Sequence, residues 1–434
     1  FCHPFTITHS LTSFETLHLS GSVIRVLQAD YVFFARQIID LKDNFRHFTL
    51  SSEDVHLINP NSLTSAVFRS KSDAEITKAV YRRVPVYVLE GPPEQNYWNV
   101  DFKLMFMMNT DSNLFHTQAQ LEHAGYHLQG NLFTDGETIY IPLYESKMVH
   151  QYDHRYSTYK GATEANLNAG ILPQLSIDEK CNAVATVLPR YWLKQENVDQ
   201  RINSWSFKWL LGTRDICRNT DSRTAIGSFF PRAAVSGMYI ALPKQPEISV
   251  VCCLNANISS FVLDYITRQK TGGTHLSLGY LKQLPILPPY SYKPALLDFI
   301  VPRVLELSYT AWDLQPFAQD VGYQGAPFIW DEDRRFLMRC ELDALYFHLY
   351  GINREDAEYI LETFPIVKRK DEAKHGEYRT KRVIMEMYDQ MAALPKISVP
   401  APKDEHATYQ VPDVSQWVSP LNPPPGDQRA GHKA

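Results

Sequence analysis

The sequence predicts an α+β protein, with a mixed sheet in its middle and a helical C-terminal region. Residues 86–290 contain short apolar runs separated by Gly, Pro and Asn, and these runs do not alternate with helical segments as in a doubly wound fold. After Leu287–Pro289 the apolar residues recur at spacings of three and four, which is typical of helices. The 434 residues are 44% hydrophobic and 21% charged, so we expect a globular chain with two or three packed units.

The N-terminal region is expected to be rich in strands and to end in a helix. Phe5–Thr8 alternates as a strand does, whereas residues 24–39 mix apolar and charged positions in a helical rhythm. The sequence Asn59-Pro-Asn61 then predicts a turn. Ser72 has the pattern of an N-cap for the next helix, which is expected to end before Pro85.

The middle of the chain carries the predicted sheet. Its strands should be short, because Gly, Pro and Asn interrupt every apolar run. The runs with the composition of buried or half-buried strands are Thr138–Leu143, Ala183–Leu188, Ala225–Phe230 and Ser249–Leu254.

Helices dominate the predicted C-terminal region. Asp331 is placed to cap a helix over Arg334–Tyr350, and a second helix should run from Asn353 to Pro365. A third, charged helix is predicted at about Asp371–Met391. Beyond Pro395 the chain has the composition of a tail, which we expect to be ordered only where it docks on the rest of the protein.

The net charge of −5 conceals an asymmetry along the chain. Residues 147–282 hold 16 Lys and Arg against 10 Asp and Glu, while residues 304–363 hold 4 against 12. A basic middle can face a polyanion, because phosphate binding depends on local rather than total charge. The alternative is a scattered basic surface without a partner, and charge alone does not decide between the two.

Composition also bears on location. No run approaches the roughly 18 apolar residues of a membrane span, so no membrane partner is expected. The 6 cysteines show no CxxC spacing, which favours a reduced, cytoplasmic location. The first residue is Phe rather than Met, and we expect the chain to be a piece of a longer protein.

Cofactor motifs are largely absent. Gly272-Gly273 is the only tight glycine pair and is not part of a GxG turn, and no GxxxxGK[ST] sequence occurs. Two stretches imitate the Asn/Asp-Pro-Pro-aromatic loop of amino-methylases. Leu287-Pro-Pro-Tyr290 lacks the polar acceptor and Asn422-Pro-Pro-Pro425 lacks the aromatic residue, so both are interpreted as linkers.

Two further patterns offer weak alternatives. Glu145 and Lys147, with Asp135 upstream, imitate the carboxylate–lysine set of Mg²⁺-dependent nucleases. His150–Arg155 is rich in His and Asp but has no third metal ligand at a convincing spacing. We therefore expect no metal site there and interpret His150–Arg155 as a solvent-facing polar segment suited to bases and phosphates.

Three basic segments mixed with aromatic and small polar residues are the candidate DNA contacts. The first contains Lys147, Gln151, His154, Arg155, Tyr159 and Lys160; the second Arg214, Arg218, Thr220, Arg223 and Thr224; the third Arg268, Gln269, Lys270, Thr274 and His275. Arg and Gln suit base edges, whereas Lys, Ser and Thr suit phosphates. The side chains expected to contact bases are Gln151, Arg155, Arg218, Arg223 and Gln269, and those expected to contact phosphates include Lys147, Lys160 and Lys270. The three segments predict one basic cleft, although three separate solvated loops remain open as an alternative.

At these segments the sequence resembles the C-terminal half of large bacterial adenine-specific DNA methylases. These are the type IIG restriction–modification enzymes and the related methylases of phage-defence systems such as DISARM and BREX. The stretches that carry the resemblance, in this order, are Asn59–Asn61, Phe68–Glu75, Ile141–Tyr159, Arg190–Trp192, Arg214–Thr224, Arg268–His275, Leu281–Pro289, Tyr309–Leu314 and Ala344–Lys370.

The resemblance implies a target-recognition domain that reads double-stranded DNA in the major groove. It implies that residues 1–60 are the tail of a methylase domain, 61–290 the recognition domain, and 291–434 a helical region with a Pro-rich tail. In the parent protein another domain would bind S-adenosylmethionine and methylate N6 of a flipped adenine. Neither motif for this chemistry lies in these residues, so no cofactor is expected here, the fragment is expected to be inactive, and no catalytic residue is assigned.

An alternative of a different class is a protein-interaction module. Its acidic helical region, residues 304–391, would dock a nuclease or helicase partner of a defence system. On the first hypothesis DNA binding should map to 147–282, and on the second partner binding should map to 304–391.

Overall fold

The computed structural model describes residues 17–19, 22–24, 28–35, 37–218 and 220–433. The predicted strand at Phe5–Thr8 lies outside these residues. The described part is an α+β protein with mixed sheets and a helical C-terminal region, which confirms the predicted fold class.

Most strands of the described part are short, as the frequent Gly, Pro and Asn residues predict. They are β1 Leu17–Leu19, β2 Ser22–Ile24, β3 Gln28–Tyr31, β4 Phe48–Ser51, β5 Val100–Leu104, β6 His127–Gln129, β7 Leu132–Thr134, β8 Ile139–Glu145, β9 Trp192–Lys194, β10 Trp209–Arg214, β11 Gly227–Pro231, β12 Ala234–Ser236, β13 Met238–Pro243, β14 Lys396–Ala401 and β15 Asp404–Pro412.

The three longest α-helices of the described part, α10, α12 and α15, lie in the second half of the chain. The helices are α1 Ser52–Ile58, α2 Lys71–Arg83, α3 Gln118–His123, α4 Glu164–Ala169, α5 Ile177–Cys181, α6 Gln195–Arg201, α7 Ile248–Ser259, α8 Phe261–Lys270, α9 Leu278–Lys282, α10 Pro294–Ser308, α11 Gln315–Val321, α12 Glu332–Leu349, α13 Arg354–Glu362, α14 Pro365–His375 and α15 Arg379–Ala392.

Two sheets form the middle of the protein. One is antiparallel with the strand order β11-β10-β13-β5. The other has the order β12-β8-β7-β6, with β9 also paired to β8, and it is mixed because β12 runs parallel to β8. The remaining strands of the described part form three two-stranded antiparallel sheets, β1–β2, β3–β4 and β14–β15. The predicted strands at 138–143 and 225–230 are confirmed as β8 and β11.

The other two predicted strands are wrong. Ser249–Leu254 lies in α7, whose residues 250–259 are all buried. A fully buried helix is apolar on every side, so its pattern resembles that of a buried strand. Ala183–Leu188 is irregular, and the carbonyl oxygens of Asn182 and Ala185 next to it accept hydrogen bonds from Arg155 instead of a strand partner.

The predicted N-terminal helix is also wrong, because the described residues of 24–39 contain β3 and no α-helix. Tyr31 of β3 pairs with Phe48 of β4, and their rings stack at 5.7 Å. Cross-strand aromatic pairs of this kind stabilise a sheet and here outweigh the helical rhythm of the sequence. The helix α2 ends at Arg83 as predicted, but Ser70 rather than Ser72 caps it, accepting from the Asp73 amide.

The C-terminal helices follow their local signals closely. Asp331 caps α12 and Asn353 caps α13, as predicted. The predicted third helix is two helices, α14 and α15, because Gly376 adopts φ +75° between them. Pro365 begins α14, where its missing N–H costs nothing.

The tail beyond Pro395 docks on the helical region. After the β14–β15 hairpin, the Trp417 indole donates to Glu341 at 2.7 Å, and Arg334 donates to the Pro423 carbonyl at 2.7 Å. Glu306, which pairs with Arg334, also accepts from the Gly426 amide at 2.8 Å. The tail was expected to be ordered only where it docks on the rest of the protein, and these contacts show where it docks.

One main hydrophobic core extends from Tyr31 to Leu421. This core contains side chains from all three predicted domains, 1–60, 61–290 and 291–434. The roles assigned to these domains stay predictions. A smaller core forms around Trp192 and Phe133 at the edge of the mixed sheet. Within the described residues, no single helix has the length and apolarity to cross a membrane, and the bent pair α7–α8 meets only criteria of length and composition.

Candidate nucleic-acid interface

The first predicted segment is mostly buried, so its interpretation as a solvent-facing segment is wrong for Gln151, His154 and Arg155. Gln151 donates to the carbonyl oxygens of Ala225 at 2.7 Å and Ser259 at 3.1 Å. His154 is 1% exposed and hydrogen-bonded to Asp313 at 2.8 Å. Side chains used in this way do not reach a base edge in this conformation.

Arg155 shows most clearly why this segment does not face solvent. It is fully buried, and its two terminal nitrogens donate to the carbonyl oxygens of Lys180, Asn182, Ala185 and Thr310 at 2.8–3.0 Å. A buried charge needs partners, and here the partners are backbone carbonyls. Arg155 therefore fastens the irregular chain around 180–185 to the loop after α10.

The rest of the first segment lies nearer the surface. Lys147 is half-buried and forms an ion pair with Glu145 at 3.3 Å, and Tyr159 donates to Glu145 at 2.5 Å. Lys160 is exposed. Glu145 is thus occupied by a lysine and a tyrosine, and none of the described residues forms a cluster of three or more His, Cys, Asp or Glu suited to a metal ion. The nuclease hypothesis gains no support from this geometry.

Residues of the second segment bind the carboxylate of Asp264. This carboxylate, which is fully buried, accepts from Arg223 at 2.6 Å, from Arg268 at 3.3 Å and from the Thr224 amide at 3.0 Å. Both guanidinium groups also lie over phenylalanine rings, Arg223 over Phe261 and Arg268 over Phe364. Arg223, Thr224 and Arg268 therefore hold the loop between β10 and β11 against α8, and they are largely unavailable to DNA.

The residues of the third segment lie in two different parts of the structure, next to the second segment and in a separate cavity. Thr274 and His275 are exposed and support the second segment, since the Cys217 amide donates to the Thr274 carbonyl at 3.0 Å and His275 lies 3.1 Å from Asp215. Gln269 and Lys270 point elsewhere and line a separate cavity with Arg268. The single cleft predicted from all three segments is not formed. Of the predicted residues, one cleft is lined by Lys147 of the first segment and by Arg214, Arg218, Thr220 and Arg223 of the second, and by none of the third.

A basic cleft of about 650 Å³ does exist between these elements. Its basic side chains are Lys147, Arg214, Arg218, Arg223, Arg369 and Lys370, and its acidic side chain is Asp221. Arg214 is the last residue of β10, and the following loop supplies Arg218 and the exposed Thr220. Lys147 comes from the turn after β8, and Arg369 and Lys370 come from α14.

Few charges within the cleft are compensated. Among the described residues no carboxylate forms an ion pair with Arg214, Arg218, Arg369 or Lys370, and Arg218, Arg369 and Lys370 are exposed. The Nε of Arg214 is buried without a hydrogen-bond partner in the described part. Burial and the neighbouring Arg214 lower the pKa of His150 to about 3, so His150 adds no charge to the cleft at physiological pH.

The cleft also has an apolar side. Ile171 and Ile216 line it with exposed fractions of 65% and 50%, and the half-buried Tyr156 ring lies between basic groups. Cations that alternate with apolar and aromatic surface suit a phosphate backbone that carries sugars and bases.

Sequence reasoning missed Arg369 and Lys370. It assigned α14 to an acidic region because residues 304–363 carry 12 acidic groups. The run Lys368-Arg369-Lys370 was the available signal. Several of the acidic groups are in fact used inside the protein, where Glu306 pairs with Arg334, Glu341 with Arg303 and Asp313 with His154.

No family model, no curated protein sequence and no solved structure matches this chain.

Proposed function

We propose that the chain binds double-stranded DNA and that the basic cleft holds the phosphate backbone. The observation that supports this most is the convergence of Arg214, Arg218, Arg369 and Lys370 in one cleft without ion pairs among the described residues. They come from segments about 150 residues apart in a chain of net charge −5. Gathering like charges costs free energy, and a polyanion offsets that cost.

The loop between β10 and β11 is the proposed reader of base edges. Of the side chains predicted to contact bases, which are Gln151, Arg155, Arg218, Arg223 and Gln269, Arg218 is the one that is exposed. Its planar guanidinium can pair with the O6 and N7 of guanine. The neighbouring Thr220 and Ile216 are also exposed and offer a hydroxyl and a methyl-bearing surface to the same groove.

Together with the resemblance of its sequence, the cleft favours a role in target recognition within an N6-adenine DNA methyltransferase. Such an enzyme would belong to a bacterial restriction–modification or phage-defence system in the cytoplasm. S-adenosylmethionine would be bound by another part of the parent protein, because the motifs for it are not found in this sequence.

The proposal predicts a steep dependence of duplex affinity on salt. The three cleft cations proposed to contact phosphates, Arg214, Arg369 and Lys370, should release about three counterions, so log K should fall with log[salt] at a slope of about −2.5 to −3. Replacing Arg369 and Lys370 by Gln should reduce this slope by about two units, one for each lost phosphate contact. Fluorescence anisotropy with a 30-base-pair duplex at several salt concentrations measures both slopes.

The matched control is the double variant Lys293→Gln and Lys396→Gln. Both lysines are exposed, and neither lines the cleft. This variant has the same net charge as the cleft variant and should keep the slope of the unmodified protein. Equal slopes for the two double variants would contradict the proposal.

A further inference from the structure

A second cavity, which shares no lining residue with the basic cleft, lies at the C-terminal end of α8. It is bounded by the turn after α1, by the segment before α2 and by the end of α8, and its volume is about 320 Å³. The rings of Phe34, Phe68 and Tyr280 line it, and those of Phe34 and Tyr280 are exposed by 53% and 40%. Small-molecule sites typically measure about 300–1,000 Å³ and have such mainly apolar walls. We call this space the Lys270 cavity.

The charges of the Lys270 cavity have one sign. Among its described residues Arg69, Arg268 and Lys270 are basic, and no Asp or Glu lines it. The guanidinium of Arg268 is engaged by the buried carboxylate of Asp264. Arg69 is exposed and lies 5.6 Å from the centre of the Phe34 ring. Lys270 is therefore the cation set most deeply into the wall.

Among the described residues, no carboxylate forms an ion pair with the amine of Lys270. This amine donates to the Ile58 carbonyl at 2.7 Å and to the Asn59 side-chain oxygen at 2.5 Å, both of which are neutral acceptors. Burial lowers the pKa of Lys270 to about 7. A second polar group of the wall, the Thr77 hydroxyl, is buried without a hydrogen-bond partner in the described part of the chain. Buried charges are normally paired, and buried hydroxyls are normally hydrogen-bonded.

We propose that the Lys270 cavity binds a small organic anion with a planar ring, of the size and chemistry of a nucleoside monophosphate. The anionic head would supply the counter-charge that Lys270 lacks and an acceptor for the Thr77 hydroxyl. The planar part would lie against the Phe34 and Tyr280 rings, which are aromatic and therefore tolerate any base. This site goes beyond the proposed DNA cleft, with which it shares no lysine.

The competing explanation is purely structural. In it, Lys270 is neutral at the end of α8 and does no more than tie that helix to the turn at Asn59. The two explanations differ in one measurable respect. A bound anion favours the charged form of a neighbouring lysine, so binding at pH 8 must take up a proton, whereas a structural lysine takes up none.

The experiment is isothermal titration calorimetry of the full chain with AMP, adenosine and inorganic phosphate. At pH 8, AMP should bind with a dissociation constant below about 1 mM and at least about tenfold more tightly than adenosine or phosphate. Comparing Tris with HEPES buffer should show uptake of close to one proton on AMP binding. No binding of AMP at this concentration, or binding without proton uptake, would overturn the proposal.

Three variants locate the site. Lys270→Gln should weaken both AMP and phosphate and abolish the proton uptake, with its fold checked by circular dichroism. Tyr280→Ala changes an exposed ring, and it should weaken AMP by about tenfold while leaving phosphate unchanged. The double variant Arg369→Gln and Lys370→Gln should bind AMP normally. Loss of AMP in this cleft variant with retention in Lys270→Gln would place the nucleotide in the basic cleft and contradict the proposal.

Discussion

Replacing Asp264 by Ala is expected to lower the free energy of unfolding by about 3–5 kcal/mol. The carboxylate is fully buried and is shared by Arg223, Arg268 and the backbone amides of Thr224 and Ala225. Its removal leaves two largely buried guanidinium groups without their common counter-charge. Urea unfolding followed by circular dichroism measures the change.

Asp101→Ala is the matched control for this prediction. Asp101 pairs with Lys244 at 3.4 Å, and both side chains are 59% exposed. Exposed pairs contribute about 0–1 kcal/mol, so the control should unfold almost as the unmodified protein does. If Asp264→Ala lost no more than Asp101→Ala, Asp264 would not hold the β10–β11 loop against α8 as described.

Reversing the charge of Arg218, Arg369 and Lys370 to Glu is expected to lower duplex affinity by about 100-fold or more at low salt. The three side chains are exposed, so the reversal should leave the fold intact. It turns the phosphate contacts of Arg369 and Lys370 into like-charge contacts, which repel the DNA backbone, and it removes the guanine contact proposed for Arg218. Anisotropy titration with cognate or random duplex at about 50 mM salt measures the loss.

The control reverses Lys71, Lys293 and Lys396 to Glu. These lysines are exposed, have no carboxylate ion pair among the described residues and lie outside the cleft. The two triple variants have the same net charge, so any general effect of charge is shared. Comparable losses for both would mean that DNA meets the whole surface rather than the basic cleft.

The sequence predicted those elements that local signals determine. Asp331 and Asn353 cap their helices with hydrogen bonds to residues three positions ahead, and such spacing is visible in a sequence. The strand predicted at Ser249–Leu254 was wrong because a buried helix and a buried strand have the same apolar composition over six residues. Whether such a segment forms a helix or a strand depends on its packing in the folded protein, and a short stretch of sequence does not contain that information.

The candidate site was harder to predict for the same reason. The polar composition of His150–Arg155 suggested solvent, yet the oxygens that Arg155 binds come from residues 180–185 and from Thr310. Partners that distant in sequence cannot be inferred from a local pattern. The basic residues grouped from the sequence at 214–223 line one cleft, and their role in binding DNA stays a prediction. Arg369 and Lys370 line the same cleft but were overlooked, because the charged residues of the preceding stretch 304–363 are mostly acidic.

Occupation of the basic cleft by DNA can be detected by lysine acetylation followed by mass spectrometry. The reaction is carried out on the unmodified chain with and without a saturating duplex. We expect DNA to slow acetylation of Lys370, because a phosphate contact covers its amine, and to leave Lys293 and Lys396 unchanged. Protection of Lys293 or Lys396 with no protection of Lys370 would show that DNA binds elsewhere than in the cleft.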